Sequence, residues 1–386
     1  MFQQWCGGVA RRGLLLAAMW VMTSGGLAAQ SATDARANSA ISTHAALRND
    51  PALSKDPFVD PLDAPAAMHK SIAGLPLMSI ARAGKRLVAV GMRGLIIVSD
   101  DSGQSWSQVP APVASDLLAL SFPDPSEGWV VGHDGVVLHT ADGGLTWIKQ
   151  FDGREAAKKL AADYQARIDA GDKSLQPYLD QLALNYKAGP SLPLLDVWFK
   201  DPQHGMAVGS FGMAITTNDG GKTWQPMLER VDNPQFLHLN SIGEVAGDVY
   251  IAGEQGAIFR LDPRSGKFRL IQTDYAGSFF GMTGNQDVVI TYGLRGTIYR
   301  STDHGTSWGR VESPLHGTVT SALYVAPNNA FAFVTTAGEV ARADSSLHEF
   351  HLLGPTRPIV TTGVQLTTGG ALVVSSLGGP NAMALQ

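Results

Sequence analysis

A glycine-ended β pattern that returns about every forty residues constrains this chain more than any other feature of it. Its copies are "VAVGMRG" (88–94), "WVVGHDG" (129–135), "MAVGSFG" (206–212), "YIAGEQG" (250–256), "ITYGLRG" (290–296), "AFVTTAG" (332–338) and "VVSSLGG" (373–379). Aligned on Gly94, Gly135, Gly212, Gly256, Gly296, Gly338 and Gly378, they stand 41, 77, 44, 40, 42 and 40 residues apart. The long interval holds an insertion and no missed copy. Each unit is β throughout: the second reads "DLLALSFP" (116–123), "GWVVG" (128–132), "VVLHT" (136–140) and "TWIKQ" (146–150), short β-rich runs broken by Gly, Asp and Pro. One four-stranded sheet has two faces to cover, and stacking units around an axis covers both. The expectation is an all-β, seven-bladed β-propeller. The last unit runs out after three strands, so the segment Asp56–Lys70 is expected to supply the fourth and close the ring.

The N-terminus reads as a secretory leader, residues 1–29. Arg11 and Arg12 precede an apolar run, "GLLLAAMWVM" (13–22), and small residues around "GLAAQSA" (26–32) suit cleavage. The apolar run is too short for an ordinary membrane span. Residues 30–55 are Ala/Ser/Asn-rich and expected to be flexible, leaving 56–386 as propeller. These features imply a periplasmic or secreted protein that does not insert into the membrane once cleaved. Cys6, the one cysteine, lies ahead of the apolar run, so disulfides and thiolate metal sites are excluded. A net charge of −5 with scattered Lys and Arg argues against a nucleic-acid partner.

A second motif follows the first in four units: "SDDSGQSW" (99–106), "TADGGLTW" (140–147), "TNDGGKTW" (217–224) and "STDHGTSW" (301–308). The glycine permits a positive φ, the aspartate accepts turn N–H groups, and the tryptophan packs between blades. The residues are Asp101, Gly103 and Trp106; Asp142, Gly144 and Trp147; Asp219, Gly221 and Trp224; and Asp303, Gly305 and Trp308. Four equivalent turns do not make one catalytic centre, which needs different residues converging. The reading is a structural staple, with degraded copies at "LDPRSGKF" (261–268) and "ADSSLHEF" (343–350). It lacks the alternating carboxylates of a calcium loop.

The turn resembles the Asp-box, or bacterial neuraminidase repeat. The composite in "VGHDGVVLHTADGGLTW" (131–147) and "VGSFGMAITTNDGGKTW" (208–224) resembles the photosystem II stability/assembly factor propellers and their relatives in non-photosynthetic bacteria. The resemblance runs from about Leu75 to the C-terminus. It implies a non-enzymatic assembly or scaffolding factor for a membrane protein complex, with transporters of the resistance–nodulation–division type as partners of the bacterial relatives. It also implies a binding patch built from Gly-x-Arg-Gly turns, a form that only Arg93 and Arg295 match here.

In a four-stranded meander, the turn between the second and third strands shares one face with the link to the next blade. Arg93, His133, Asp134, Phe211, Glu254, Gln255 and Arg295 are therefore expected together, opposite the boxes. The insertion, residues 153–190, switches to a period of 3.6. Ala157, Leu160, Ala161, Tyr164 and Ile168 form one stripe, and Leu175, Tyr178, Leu179, Leu182 and Tyr186 another. This predicts a helical hairpin on the same face, either packing on itself or using Tyr178 and Tyr186 to dock a partner.

The alternative is a sialidase-like glycoside hydrolase or carbohydrate-binding propeller. That chemistry needs an arginine cluster and a nucleophile with an acid/base partner. The Arg-Ile-Pro element is absent, "TRPIV" (356–360) being scrambled, and Glu254 and Asp134 have no evident Tyr–Glu partner. "HEFH" (348–351) lacks the helical histidine spacing of a zinc protease. The expectation is a monomeric binding protein with no cofactor or metal.

Overall fold

A computed structural model describes residues 59–383. The leader, Cys6 and the 30–55 segment lie outside them. Each repeat forms an antiparallel sheet with strands in chain order: β1–β4 (77–109), β5–β8 (117–151), β9–β12 (194–226), β13–β16 (239–272), β17–β20 (279–311), β21–β24 (319–352) and β25–β27 (361–383). The first strand of every sheet packs against the first strands of both neighbours, which places it nearest the axis and closes a seven-bladed ring. Seven buried apolar clusters fill the seven junctions between blades.

Both glycines of the first motif are required by the backbone. Gly91, at the end of β2 (Arg86–Gly91), is crossed so closely by the incoming link that a Cβ there would meet the Pro76 carbonyl. Gly94 has φ +73°, following Arg93 at φ +55°, and Leu95 N–H donates to Met92 O at 3.2 Å. Two successive positive φ values make a type I′ turn, whose twist suits a hairpin. Asp134–Gly135, Phe211–Gly212, Gln255–Gly256 and Arg295–Gly296 repeat it.

Every innermost strand also carries a bulge at one equivalent place. Just beyond it stand Ser79, Ala119, Asp196, Ser241, Gly281, Ser321 and Gly363, in matching register. Crowding of strands near the axis selects small residues there, and Asp196 is the exception. Its carboxylate accepts from Ser241 Oγ (2.8 Å) and Ile242 N–H (2.9 Å) of the next blade. Part of its surface stays open, yet burial pushes the carboxyl up to about 6 against these hydrogen bonds.

The closure differs from the sequence expectation. Residues 59–70 form no strand, and the last blade has three strands among the described residues. Pro61 and Pro65 cannot donate to a ladder. The segment instead buries Leu62 and Ala66 in the cluster between the first and second blades. Ala66 N–H donates to Ala111 O at 3.0 Å, and Ala114 N–H to Pro61 O at 2.7 Å. The last and first blades meet through packing of Val373 on Leu87 and Ala89, and a bond from Thr362 Oγ1 to Leu77 O at 2.9 Å.

The insertion is a helical hairpin, α1 (Gly153–Asp169) and α2 (Gln176–Asn185). Asp152 caps α1, accepting from Arg154 N–H (2.9 Å) and Glu155 N–H (3.2 Å). The hairpin lies over β12 (Gln225–Pro226), the short outer strand of the third blade. Ala156, Leu160, Tyr164, Ile168 and Leu182 join Trp224 and Leu228 in one cluster. The inward stripe therefore uses Ala156, with Ala157 and Ala161 only half-buried.

Candidate functional site: the turn face

The turns between second and third strands stand on the same face as the blade-to-blade links. Gly135 abuts Gly153 at the start of α1, and Asn185 Nδ2 of α2 donates to Phe211 O at 3.3 Å. On this face the carboxylates are fastened to the protein. Asp116 accepts from Arg93 N–H at 2.7 Å, and Asp134 from Ser115 Oγ at 2.6 Å. Glu254 accepts from His238 N–H at 2.8 Å. Glu339 accepts from Gly317 N–H at 3.0 Å and Thr335 Oγ1 at 2.8 Å. Burial alone would raise the Glu339 carboxyl, but these donors and His316 N–H hold it below its ordinary value.

The other side chains of these turns are left free. Arg93, His133 and Arg295 are without a side-chain partner among the described residues. Phe211 is 50% exposed and leans on His238, with centroids 4.6 Å apart. Gln255 is exposed, and its carbonyl accepts from Gln272 Nε2 at 2.7 Å. A phenylalanine or arginine at positive φ is strained by about 1–2 kcal/mol, and for the two arginines no side-chain partner among the described residues offsets it. The two arginines belong to the first and fifth blades.

Tyr178 and Tyr186 sit elsewhere. Both are half-buried against the cluster under the hairpin, Tyr178 lying 6.3 Å from Tyr164 and 6.1 Å edge-on from Phe236. Burial raises both phenols, with Glu229 adding to the effect at Tyr178. They fasten the hairpin to the ring. The exposed large apolar side chain of α2 is Leu184.

The Asp-boxes occupy the opposite face and are internally satisfied. Asp142 Oδ1 accepts from Thr140 Oγ1 (2.8 Å), Leu145 N–H (2.9 Å) and Thr146 N–H (2.9 Å), and Oδ2 from Thr146 Oγ1 (2.6 Å). Burial works against ionisation, yet these donors hold the carboxyl down at about 2. Trp147 Nε1 donates to Gly144 O at 3.0 Å, with matching bonds at Trp106 and Trp308. Trp224 departs from this, its indole N–H lacking a partner. The hydroxyl two residues before each aspartate is a further member that sequence reasoning missed. Ser99, Thr140, Thr217 and Ser301 each donate to the carboxylate and accept the glycine N–H four residues on. Its recurrence as Ser or Thr was the available signal. Asp116 and Asp196 were missed as well, having no repeat to reveal them.

The family model described as photosynthesis system II assembly factor YCF48 matches residues 98–167 and 180–338. The chain belongs to that family. Among YCF48-family relatives, the photosystem II stability/assembly factor HCF136 of Cyanidioschyzon merolae is 28% identical over 212 residues, covering 50% of this chain and 46% of its own. The photosystem II assembly protein Ycf48 of Synechococcus sp. (strain JA-2-3B'a(2-13)) is 29% identical over 169 residues, covering 40% and 49%. The chain thus spans about half the length of the curated relatives it matches. A solved structure titled "YCF48 bound to D1 peptide" aligns with a TM-score of 0.59 at 16% identity, over 84% of this chain and 96% of that one. The WD40 propeller domain of Doa1 aligns with a TM-score of 0.57 at 11% identity. At these identities the structures speak for the propeller fold, which the YCF48 family shares with unrelated WD40 proteins.

Proposed function

We propose that this protein acts by binding, as an assembly or accessory factor for a membrane protein complex, through its turn face. One observation carries the reading: the carboxylates of that face are tied to its own backbone and hydroxyls, while Arg93, Arg295 and Phe211 stand free at strained positions. Such a surface offers cations and an aromatic ring to an acidic and apolar segment, the combination enriched at binding hot spots. The tied state of Glu254 and Asp134 supports a non-enzymatic role, since each already serves as a local acceptor. The names of the relatives support an assembly role, and one relative's structure is titled as bound to a D1 peptide.

The leader pattern supports action on the periplasmic side of a membrane. The partner we put forward is a transporter subunit of the resistance–nodulation–division type, a choice that rests on the resemblance to non-photosynthetic bacterial relatives. The test is affinity capture from solubilised membranes with the Arg93→Glu/Arg295→Glu variant, which is expected to lose the partner at unchanged thermal stability. Retention of the same partner would remove the turn face from the account. Deleting 153–190 is no clean test, because it strips the hairpin from β12.

A further inference from the structure

The helical hairpin adds to the ring a cavity that neither forms alone. Its tip, residues 168–179, is the stretch that the family match leaves out between 167 and 180. Leu175 and Tyr178 of this tip stand against two other elements. One is the link after β12, at Glu229 and Arg230; the other is the turn between β15 (Ala257–Asp262) and β16 (Lys267–Gln272) of the fourth blade. Together they border a cavity of about 570 Å³, in the range of ordinary ligand sites. Since the tip supplies one wall, the cavity comes with this chain's insertion and not with the propeller itself.

The lining carries Arg167, Arg230 and Lys267 against Asp172 and Glu229, and the two signs are not equally engaged. Glu229 has both oxygens occupied, Oε2 by Tyr164 Oη and Oε1 by Arg167 Nη2, each at 2.6 Å. Asp172 accepts from Ser174 N–H at 3.3 Å and from the same residue's hydroxyl. Ser265 directs its hydroxyl at Asp262. Arg230 and Lys267, by contrast, are exposed and have no side-chain partner among the described residues, and the hydroxyl of Tyr178 has none either. The groups left over are therefore donors, and their complement is an acceptor-only oxyanion. Glu229 and Asp232 act electrostatically on the Tyr178 phenol, which places an incoming anion nearer Arg230 and Lys267.

We propose that this cavity binds an organic dianion through two carboxylates, one held by Arg230 and the other by Lys267. The two cations belong to different elements, so an occupant tethers the fourth blade to the link that the hairpin grips, and binding stabilises the folded chain by mass action. A paired carboxylate is presented equally by a small free dicarboxylate and by two neighbouring acidic residues of a partner protein. The site is distinct from the turn face and does not depend on its role.

Glutarate and capped diglutamate are the probes, titrated separately by calorimetry into the full protein at constant ionic strength. At least one is expected to saturate with a Kd below about 1 mM and to raise the melting temperature. Tighter binding of diglutamate assigns the site to an acidic segment of a partner; glutarate binding at least as tightly assigns it to a free dicarboxylate. Arg230→Glu and Lys267→Glu, both at exposed positions, should each weaken binding at least about tenfold. Lys222→Glu, at an exposed position outside the cavity, and Arg93→Glu/Arg295→Glu should leave it unchanged. Saturation by neither probe would overturn the proposal, as would equally tight binding of sulfate. So would binding that the two cavity variants leave intact, or that Lys222→Glu weakens as much as they do.

Discussion

The two faces of the ring use similar residues to opposite ends. On the box face, aspartates, hydroxyls and indoles recur blade after blade and satisfy one another within eight residues of chain. On the turn face the backbone recurs as five type I′ turns, but its leading residue changes from Arg to Asp, Phe, Gln and Arg. Repetition there has been kept for the conformation and given up for the side chain. The difference separates residues that hold the ring from residues that the ring holds out.

The largest effect expected from this contrast is on the box face. Trp147→Ala should destabilise the fold by about 3–5 kcal/mol, read as a fall in denaturation midpoint, because it empties the junction between the first two blades. Asp142→Ala should follow at about 1–2 kcal/mol, through loss of turn hydrogen bonds. Since that carboxyl sits at about 2, below its unfolded value, its stabilisation is present above pH 4 and fades as pH falls towards 2.

Asp196 should behave in the opposite sense. Its carboxyl is raised to about 6, so the folded state holds its proton more tightly than the unfolded chain. Stability from this group is full below pH 4 and is lost as pH rises through 6. Asp196→Asn is therefore expected to stabilise the ring at pH 8, on the order of 1–3 kcal/mol, and to flatten melting temperature between pH 4 and 7. A destabilised variant with an unchanged pH profile would show that the ring needs this charge. Smaller still, Phe211→Gly should raise stability by about 1 kcal/mol by relieving the positive φ, while weakening partner binding. Equal losses of both would place Phe211 with the structural residues.

Much of this was legible from the chain because propellers are written in repeats. The seven glycine-ended strands counted the blades, and the period of the insertion marked its helices. The closing strand expected of 56–70 is not formed in 59–70: a missing fourth strand invites a donor, but Pro61 and Pro65 cannot donate to a ladder. In the hairpin, periodicity marks the apolar stripe of Tyr178 and Tyr186 without saying what covers it; Tyr164 and Phe236 half-bury Tyr178. Asp196 was beyond reach for a different reason: it is a departure at one blade, visible only once register aligns all seven.

The most direct measurement is site-specific photocrosslinking in membranes, with a photoreactive residue placed in turn at Arg93, Phe211 and Arg295, and at Leu145 on the box face. The account predicts one membrane-protein adduct shared by the three turn-face positions and missing at Leu145. An adduct at Leu145 with none at the other three would contradict it.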